Sequence, residues 1–188
     1  MAPELATPAD IGELAAAHAR AWRETYPGIV PDDVLANLNP AERAITWRGV
    51  LARGGRIRLV RRDGAVVGFG ATGPQREPAL MPYPGEFYAI YLLRHAQGQG
   101  LGRALMAAMA ADLLDQGMAA ANLWVLEGNA AATAFYTALG GRPVHSRTFT
   151  EGAWRGRDTA FAWDDLSRLL AALPGHAASA GDSPHRPG

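Results

Sequence analysis

Apolar residues recur at helical spacing near the start of the chain, where Ile11, Leu14, Ala15 and Trp22 fall on one face and His18 interrupts the stripe. Thr7-Pro8-Ala9-Asp10 offers a hydroxyl cap, a proline at the first helical position and an acid beside the positive helix end. A helix is therefore predicted from there to Tyr26-Pro27-Gly28. Asn39-Pro40 opens a second, carrying Trp47 and Leu51 and stopping near Gly54-Gly55. The period then changes. Residues 56–72, "RIRLVRRDGAVVGFGAT", read as two strands joined at Asp63-Gly64, a dipeptide that tolerates the positive φ angles of a tight hairpin. A loop with Pro74, Pro78, Pro82 and Pro84 leads to a strand at 86–93. Leu101, Leu105, Met109 and Leu113 predict a helix to about Gln116, with Gly117 placed to cap it. A strand at 121–127, a helix at 129–139 and a strand pair at 143–150 and 154–163, turning near Glu151-Gly152, complete the pattern.

This alternation predicts a mixed α/β (α+β) fold in which helices cover a sheet. At 188 residues the chain is read as one domain over 1–173. Residues 174–188 have no apolar period and are expected to be a disordered tail. There is no internal repeat.

Composition narrows the chemistry. Eighteen basic and eighteen acidic residues cancel, and no stretch concentrates basic residues on one face, so neither nucleic acid nor an anionic membrane is the expected partner. The absence of cysteine excludes disulfides, thiolate metal sites and a cysteine nucleophile. All the basic residues are arginine, which excludes Schiff-base chemistry and a Walker-type lysine. His18, His95, His145, His176 and His185 lie in no metal-ligand spacing, so no metal is expected. The first ten residues lack the segments of a signal peptide and no apolar run approaches a membrane span, so a soluble cytoplasmic protein is expected.

Residues 94–106, "RHAQGQGLGRALM", set Gly98, Gly100 and Gly102 at alternate positions between a strand and a helix. The dinucleotide fingerprint G-x-G-x-x-G fails, because its third slot falls on Arg103 or Leu105. What remains is a loop without side chains leading into a helix N-terminus, whose unpaired N–H groups suit a phosphate or pyrophosphate. The competing reading is that the glycines only let the helix pack closely on the strand.

Gln97-Gly98-Gln99-Gly100-Leu101-Gly102 resembles the Q/R-x-x-G-x-G/A signature of the GNAT superfamily of acyl-CoA-dependent N-acetyltransferases. Residues 123–141, with Asn129, the Phe135-Tyr136 pair and Gly140, resemble a later strand and helix of that family, and residues 21–31 a common N-terminal pattern. The likeness runs from about residue 6 to 163; Gly141 departs from it, since many relatives carry phenylalanine there. The resemblance implies a mostly antiparallel sheet with a V-shaped split between its central strands and acetyl-CoA as co-substrate. Pyrophosphate would lie on amides of Gly98, Gln99, Gly100, Leu101, Gly102 and Arg103, pantetheine would run as a pseudo-strand along Ile90, Tyr91 and Leu92, and Asn129 would anchor it near the split. It also implies a small-molecule amine or peptide N-terminus as acceptor, and a homodimer through the last hairpin.

Alkyl amines have pKa values near ~10, so acetyl transfer at neutral pH gains from a general base. Glu86 stands eleven positions before Gln97, a spacing that resembles the catalytic glutamate of the family's histone-acetylating branch. The alternative is a solvated acid at a strand start. Some ribosomal-protein acetyltransferases place their acid five residues before the counterpart of Asn129, where this chain has Trp124; Glu127 is the fallback. Tyr136 is the expected general acid for the departing thiolate, or else a tyrosine packed beside Phe135. A backbone N–H near residues 90–92 would polarise the thioester oxygen. Trp22, Tyr26 and Trp154 either line the acceptor pocket or belong to the core. The leading expectation is direct acetyl transfer to an amine; the others are a non-catalytic acyl-CoA sensor and a protein for another phosphate-bearing ligand.

Overall fold

The structure, a computed structural model, describes residues 1–151 and 154–173. In chain order it forms β1 (Glu4–Leu5), α1 (Ile11–Thr25), α2 (Asp32–Ala36), α3 (Pro40–Ala52), β2 (Arg56–Arg62), β3 (Ala65–Pro74), β4 (Gly85–Leu92), α4 (Leu101–Asp115), β5 (Ala121–Leu126), α5 (Ala130–Ala138), β6 (Arg142–Glu151), β7 (Trp154–Trp163) and α6 (Leu166–Ala171). The strands make one seven-stranded sheet in the order β1-β2-β3-β4-β5-β7-β6. Every pair is antiparallel except β4–β5.

The apolar stripes explain the layering. Ile11 and Leu14 of α1 and Trp47 and Val50 of α3 bury against Ile57, Leu59 and Phe69 on one face. Met106, Met109 and Leu113 of α4 bury against Phe87, Leu123 and Trp163 on the other. Neighbours along a strand point to opposite faces, so Phe69 meets the first layer while a Cβ on Gly70 would come 2.5 Å from Met109 Sδ in the second.

The predicted elements are present, and the hairpin turns at Asp63 and Gly64 with φ of 52° and 81°. Three short elements had not been predicted: β1, α2 and α6. The tail at 174–188 and the tip of the last hairpin at 152–153 lie outside the described residues. At Gly141 a Cβ would come 2.6 Å from Trp163 Cζ2, so the indole fills the space that a larger residue in relatives would need.

Two features position the site. Asp112 of α4 is fully buried and receives hydrogen bonds from Arg58 Nε (2.8 Å) and Nη2 (2.6 Å) and from Arg56 Nη1 (3.0 Å), pinning α4 to β2. In the sheet centre, β4 and β5 pair at only two positions, Gly85 with Ala121 and Glu86 with Asn122. Beyond these, β4 follows β3 as far as Leu92 opposite Gly68, while β5 follows β7 as far as Leu126 opposite Asp158. A β-bulge at Tyr88, between the pairs Ala71–Ala89 and Thr72–Phe87, bends β4 at the point of divergence.

Candidate functional site

The divergence opens a cleft of about 480 Å³ between β4 and β5, reaching the N-terminal ends of α4 and α5. Its β4 wall, Phe87 to Leu92, has no β5 partner, so the main-chain groups on that side are free to receive an extended ligand. Ile90 and Leu92 turn their side chains towards the α4 layer and Tyr91 turns towards α1, leaving the backbone of all three on the cleft wall.

At the mouth stands the entry to α4. Helices α3, α5 and α6 are capped by the side chains of Asn39, Asn129 and Asp165, whereas α4 opens on Gly100 with no side-chain cap. The first helical bond runs from Ala104 N–H to the Gly100 carbonyl, so the amides of Leu101, Gly102 and Arg103 precede the ladder. Gly98 and Gly100 hold φ of 71° and 78°, and a Cβ on either would meet nothing within 4 Å. Their glycine requirement is conformational, and both line the cleft. Gly102 differs, because a Cβ there would stand 3.2 Å from Phe135 Cζ. Close packing thus explains Gly102, and positive φ explains the other two.

Arg103 is exposed and lines the same mouth. Leu101 is buried among Val60, Val67 and Leu105, and Gln99 is held by Arg62 and the His95 carbonyl, so neither side chain faces the cleft. Gln97 Nε2 donates to the Leu92 carbonyl (3.0 Å), tying the loop to the end of β4.

Asn129 lines the opposite wall and accepts from Ala132 N–H (3.1 Å), so it is first a helix cap. Tyr136, about two turns on, is buried with its ring near Phe135, Phe161 and Trp163 and still borders the cleft. Burial pushes its phenol well above the ordinary range, so the hydroxyl is neutral. The core packing of the alternative reading is present, and the ring also borders the cleft.

Glu86 sits at the closed end of the split, 3% exposed. Arg76 grips its carboxylate through Nη2 (2.6 Å) and Nε (3.0 Å), and the Arg76 N–H adds a bond of 3.1 Å. It is buried and paired, not the solvated acid of the alternative expectation, and it does not line the cleft with Tyr136. Glu127 is exposed, and Trp124 lines the cleft with the Arg147 guanidinium 4.0 Å from its ring centre.

Trp22, Tyr91, Leu126 and Trp154 pack against a buried cluster that holds Tyr26, and of these Tyr26, Tyr91 and Leu126 line the cleft. His18 lies behind these residues, its Nδ1 accepting from Trp47 Nε1 (3.1 Å). Burial, with the nearby Arg43 charge, lowers its pKa to about 3 and keeps it neutral. Among the described residues no group of three or more His, Asp or Glu could hold a metal ion, and no helix is long and apolar enough to cross a membrane.

Arg76, Arg147 and Asp158 escaped the sequence reading. Strand alternation carried a signal for Asp158: in 154–163 the even positions face the side of Trp124 and Leu126, and an acid in such a row is out of place.

A central strand pair that parts after two residues, with an uncapped glycine-led helix at its mouth, defines an acetyltransferase-type α/β fold. The model of the "Acetyltransferase (GNAT) family" matches residues 16–140, and the chain belongs to that family. It is 38% identical over 166 residues to "Uncharacterized N-acetyltransferase YuaI" of Bacillus subtilis (strain 168), covering 87% of this chain and 93% of that one. It is also 38% identical over 86 residues to the mycothiol acetyltransferase of Paenarthrobacter aurescens (strain TC1), spanning 46% of this chain and 27% of that protein. In fold it resembles the YncA acetyltransferase of Salmonella typhimurium, solved with its cofactor acetyl-CoA, at a TM-score of 0.67 and 18% identity over 88% of this chain and 94% of that one.

Proposed function

We propose that the chain transfers the acetyl group of acetyl-CoA to an amine by direct attack. The observation that carries this reading is the bare entry to α4 opening onto the unpaired edge of β4. Amides from residues 98–103, with Arg103, would take the pyrophosphate; the backbone of Ile90, Tyr91 and Leu92 would pair with the pantetheine amides; Asn129 would hold its far side. The fit rests on two glycines whose positive φ leaves open space in front of the amides.

Chemistry then needs little from the protein. The amine nitrogen bonds to the thioester carbon, the carbon–sulfur bond breaks, the amine gives up a proton and the thiolate takes one. Tyr136, kept protonated by burial, supplies the thiolate's proton. A β4 amide near residues 90–92 would donate to the carbonyl oxygen. Glu86 takes the amine's proton once Arg76 releases it; Arg76 is the exposed partner, at 55% against 3% for the acid.

A second reading has an observation of its own. With its carboxylate closed by Arg76, Glu86 serves no amine, and the cleft becomes an acyl-CoA sensor. Calorimetry with coenzyme A, followed by acetyl-CoA turnover against a panel of amines, tests both. Uptake with amine-dependent thiol release supports transfer, uptake without transfer supports the sensor, and no uptake overturns both.

A further inference from the structure

Beyond the cofactor cleft, one acid has no part in the scheme so far. Asp158 of β7 lies four residues from Trp154, on the same face of the strand, and opposite Leu126 of β5. Trp154 and Leu126 both pack against the buried cluster of Tyr26, and Leu126 and Tyr26 line the cleft. The carboxylate therefore stands at this cluster, beside the Leu126 edge of the cleft, with its side chain 14% exposed.

Its pairing is incomplete. Among the described residues Asp158 accepts one hydrogen bond, 3.3 Å from Arg147 Nη2 to Oδ2, and Oδ1 receives none. Arg147 is shared, since its Nη1 donates to Glu77 at 3.1 Å and its Cζ stands 4.0 Å from the Trp124 ring centre. One cation thus serves two carboxylates. The Arg76–Glu86 pair nearby is balanced and adds no surplus charge. A carboxylate largely withdrawn from water, with an accessible oxygen that no protein group meets, gains most from a positively charged nitrogen; a neutral donor would bond it without balancing its charge, and an anion would be repelled.

We propose that Asp158 receives the acceptor's ammonium nitrogen on arrival, before that nitrogen gives up the proton that attack requires, with Tyr26 and Leu126 covering an apolar body attached to it. The inference rests on the acetyl-transfer reading and adds the substrate class: amines positively charged in solution that carry an aromatic or branched aliphatic group. Burial raises the Asp158 carboxyl above the usual range; burial is also the main cause that raises the Tyr26 phenol, and the Asp158 charge adds a smaller push in the same direction. Arg147 and Glu77 are the other charged groups at the same place.

The test uses the full chain saturated with coenzyme A and three probes of one shape, 2-phenylethylamine, 2-phenylethanol and 3-phenylpropionate, titrated by calorimetry. The amine is expected to bind at least about tenfold more tightly than the alcohol, and the carboxylate more weakly still. Asp158→Asn should erase the preference of amine over alcohol while coenzyme A affinity stays within about twofold; Asp158→Glu should retain it. Thermal melts of both variants confirm that each is folded. An Asp158→Asn protein that still prefers the amine, a carboxylate that binds as well as the amine, or no binding by any probe overturns the proposal. Failure to bind coenzyme A is read out first and overturns the acetyl-transfer reading itself, so the two failures are distinguishable.

Discussion

Tyr26 at the end of α1 and Tyr91 of β4 meet hydroxyl to hydroxyl at 3.1 Å, joining the first helix to the strand that forms the cleft wall. Burial raises both phenols, so each stays neutral and one donates to the other. Replacing Tyr26 by phenylalanine leaves the buried Tyr91 hydroxyl without this partner. The expected loss is about 1–2 kcal/mol in urea unfolding, and Tyr91→Phe with Tyr26→Phe should cost less than the sum of the two single changes.

Gly100→Ala separates conformation from packing. At φ of 78° an alanine is strained by about 1 kcal/mol, yet its methyl would touch no protein atom within 4 Å. A small drop in melting temperature is expected together with a loss of coenzyme A affinity of about tenfold or more, since the methyl stands among the amides that would face the phosphates. Calorimetry that finds unchanged affinity in this variant would remove the amides of 98–103 from the cofactor site.

The glycines at the entry to α4 were legible as a loop without side chains, though not their positive φ. The positive φ of Asp63-Gly64 was legible because a tight hairpin turn is a local requirement. By contrast β1 is two residues long and exists only through pairing with Arg58 and Leu59, which no local pattern announces. α6 did carry a signal, Asp165 capping Ser167 and Arg168, but its apolar face has meaning only once α4 lies beneath it. In the site, the fate of Glu86 was hidden because Arg76 reaches it by the path of a proline-rich loop. Arg147 and Asp158 are neighbours only by the register of β6 on β7. Residue types are visible along a chain, whereas partners are decided by register and loop path.

His18 predicts an acid sensitivity with a definite sign. Folded, it is depressed to about 3; unfolded, it returns to about 6.5. Between those values the unfolded chain binds a proton that the native protein refuses, so this residue's contribution is fully present above about pH 6.5 and is lost as pH falls towards 3. His18→Gln, which retains an acceptor for Trp47 Nε1, should flatten the stability profile in that window by up to about 1.4 kcal/mol per pH unit relative to the parent. Chemical unfolding at a series of pH values measures the difference, and parallel profiles would rule out the assignment.

Asp112 holds α4 against β2 from a position with no exposure, while Arg56 and Arg58 keep 34% and 22% of theirs. In Asp112→Ala the two guanidiniums can turn to water, so the loss should fall somewhat below that of a fully buried broken pair, at about 2–3 kcal/mol. Because α4 carries the glycine entry on its first turn, the same variant should weaken coenzyme A binding only as far as its folded fraction falls. A specific loss of affinity in the folded protein would mean that the helix entry is repositioned.

Tyr136 and Glu86 divide the proposed chemistry unevenly, and kinetics can show it. Tyr136 has a raised phenol, so its ionisation should contribute no alkaline limb to kcat below about pH 10. Tyr136→Phe removes the donor and should lower kcat by about tenfold to a hundredfold without abolishing it, because a thiol of pKa ~8.5 departs tolerably unaided. Glu86→Gln leaves Arg76 without its carboxylate. If Glu86 receives the amine's proton, kcat falls at least about a hundredfold. If the pair is only a brace, the change appears as lost stability with kcat of the folded protein retained. In that case, transfer proceeds with amines that arrive already neutral, and kcat/KM should rise with the fraction of free base in solution.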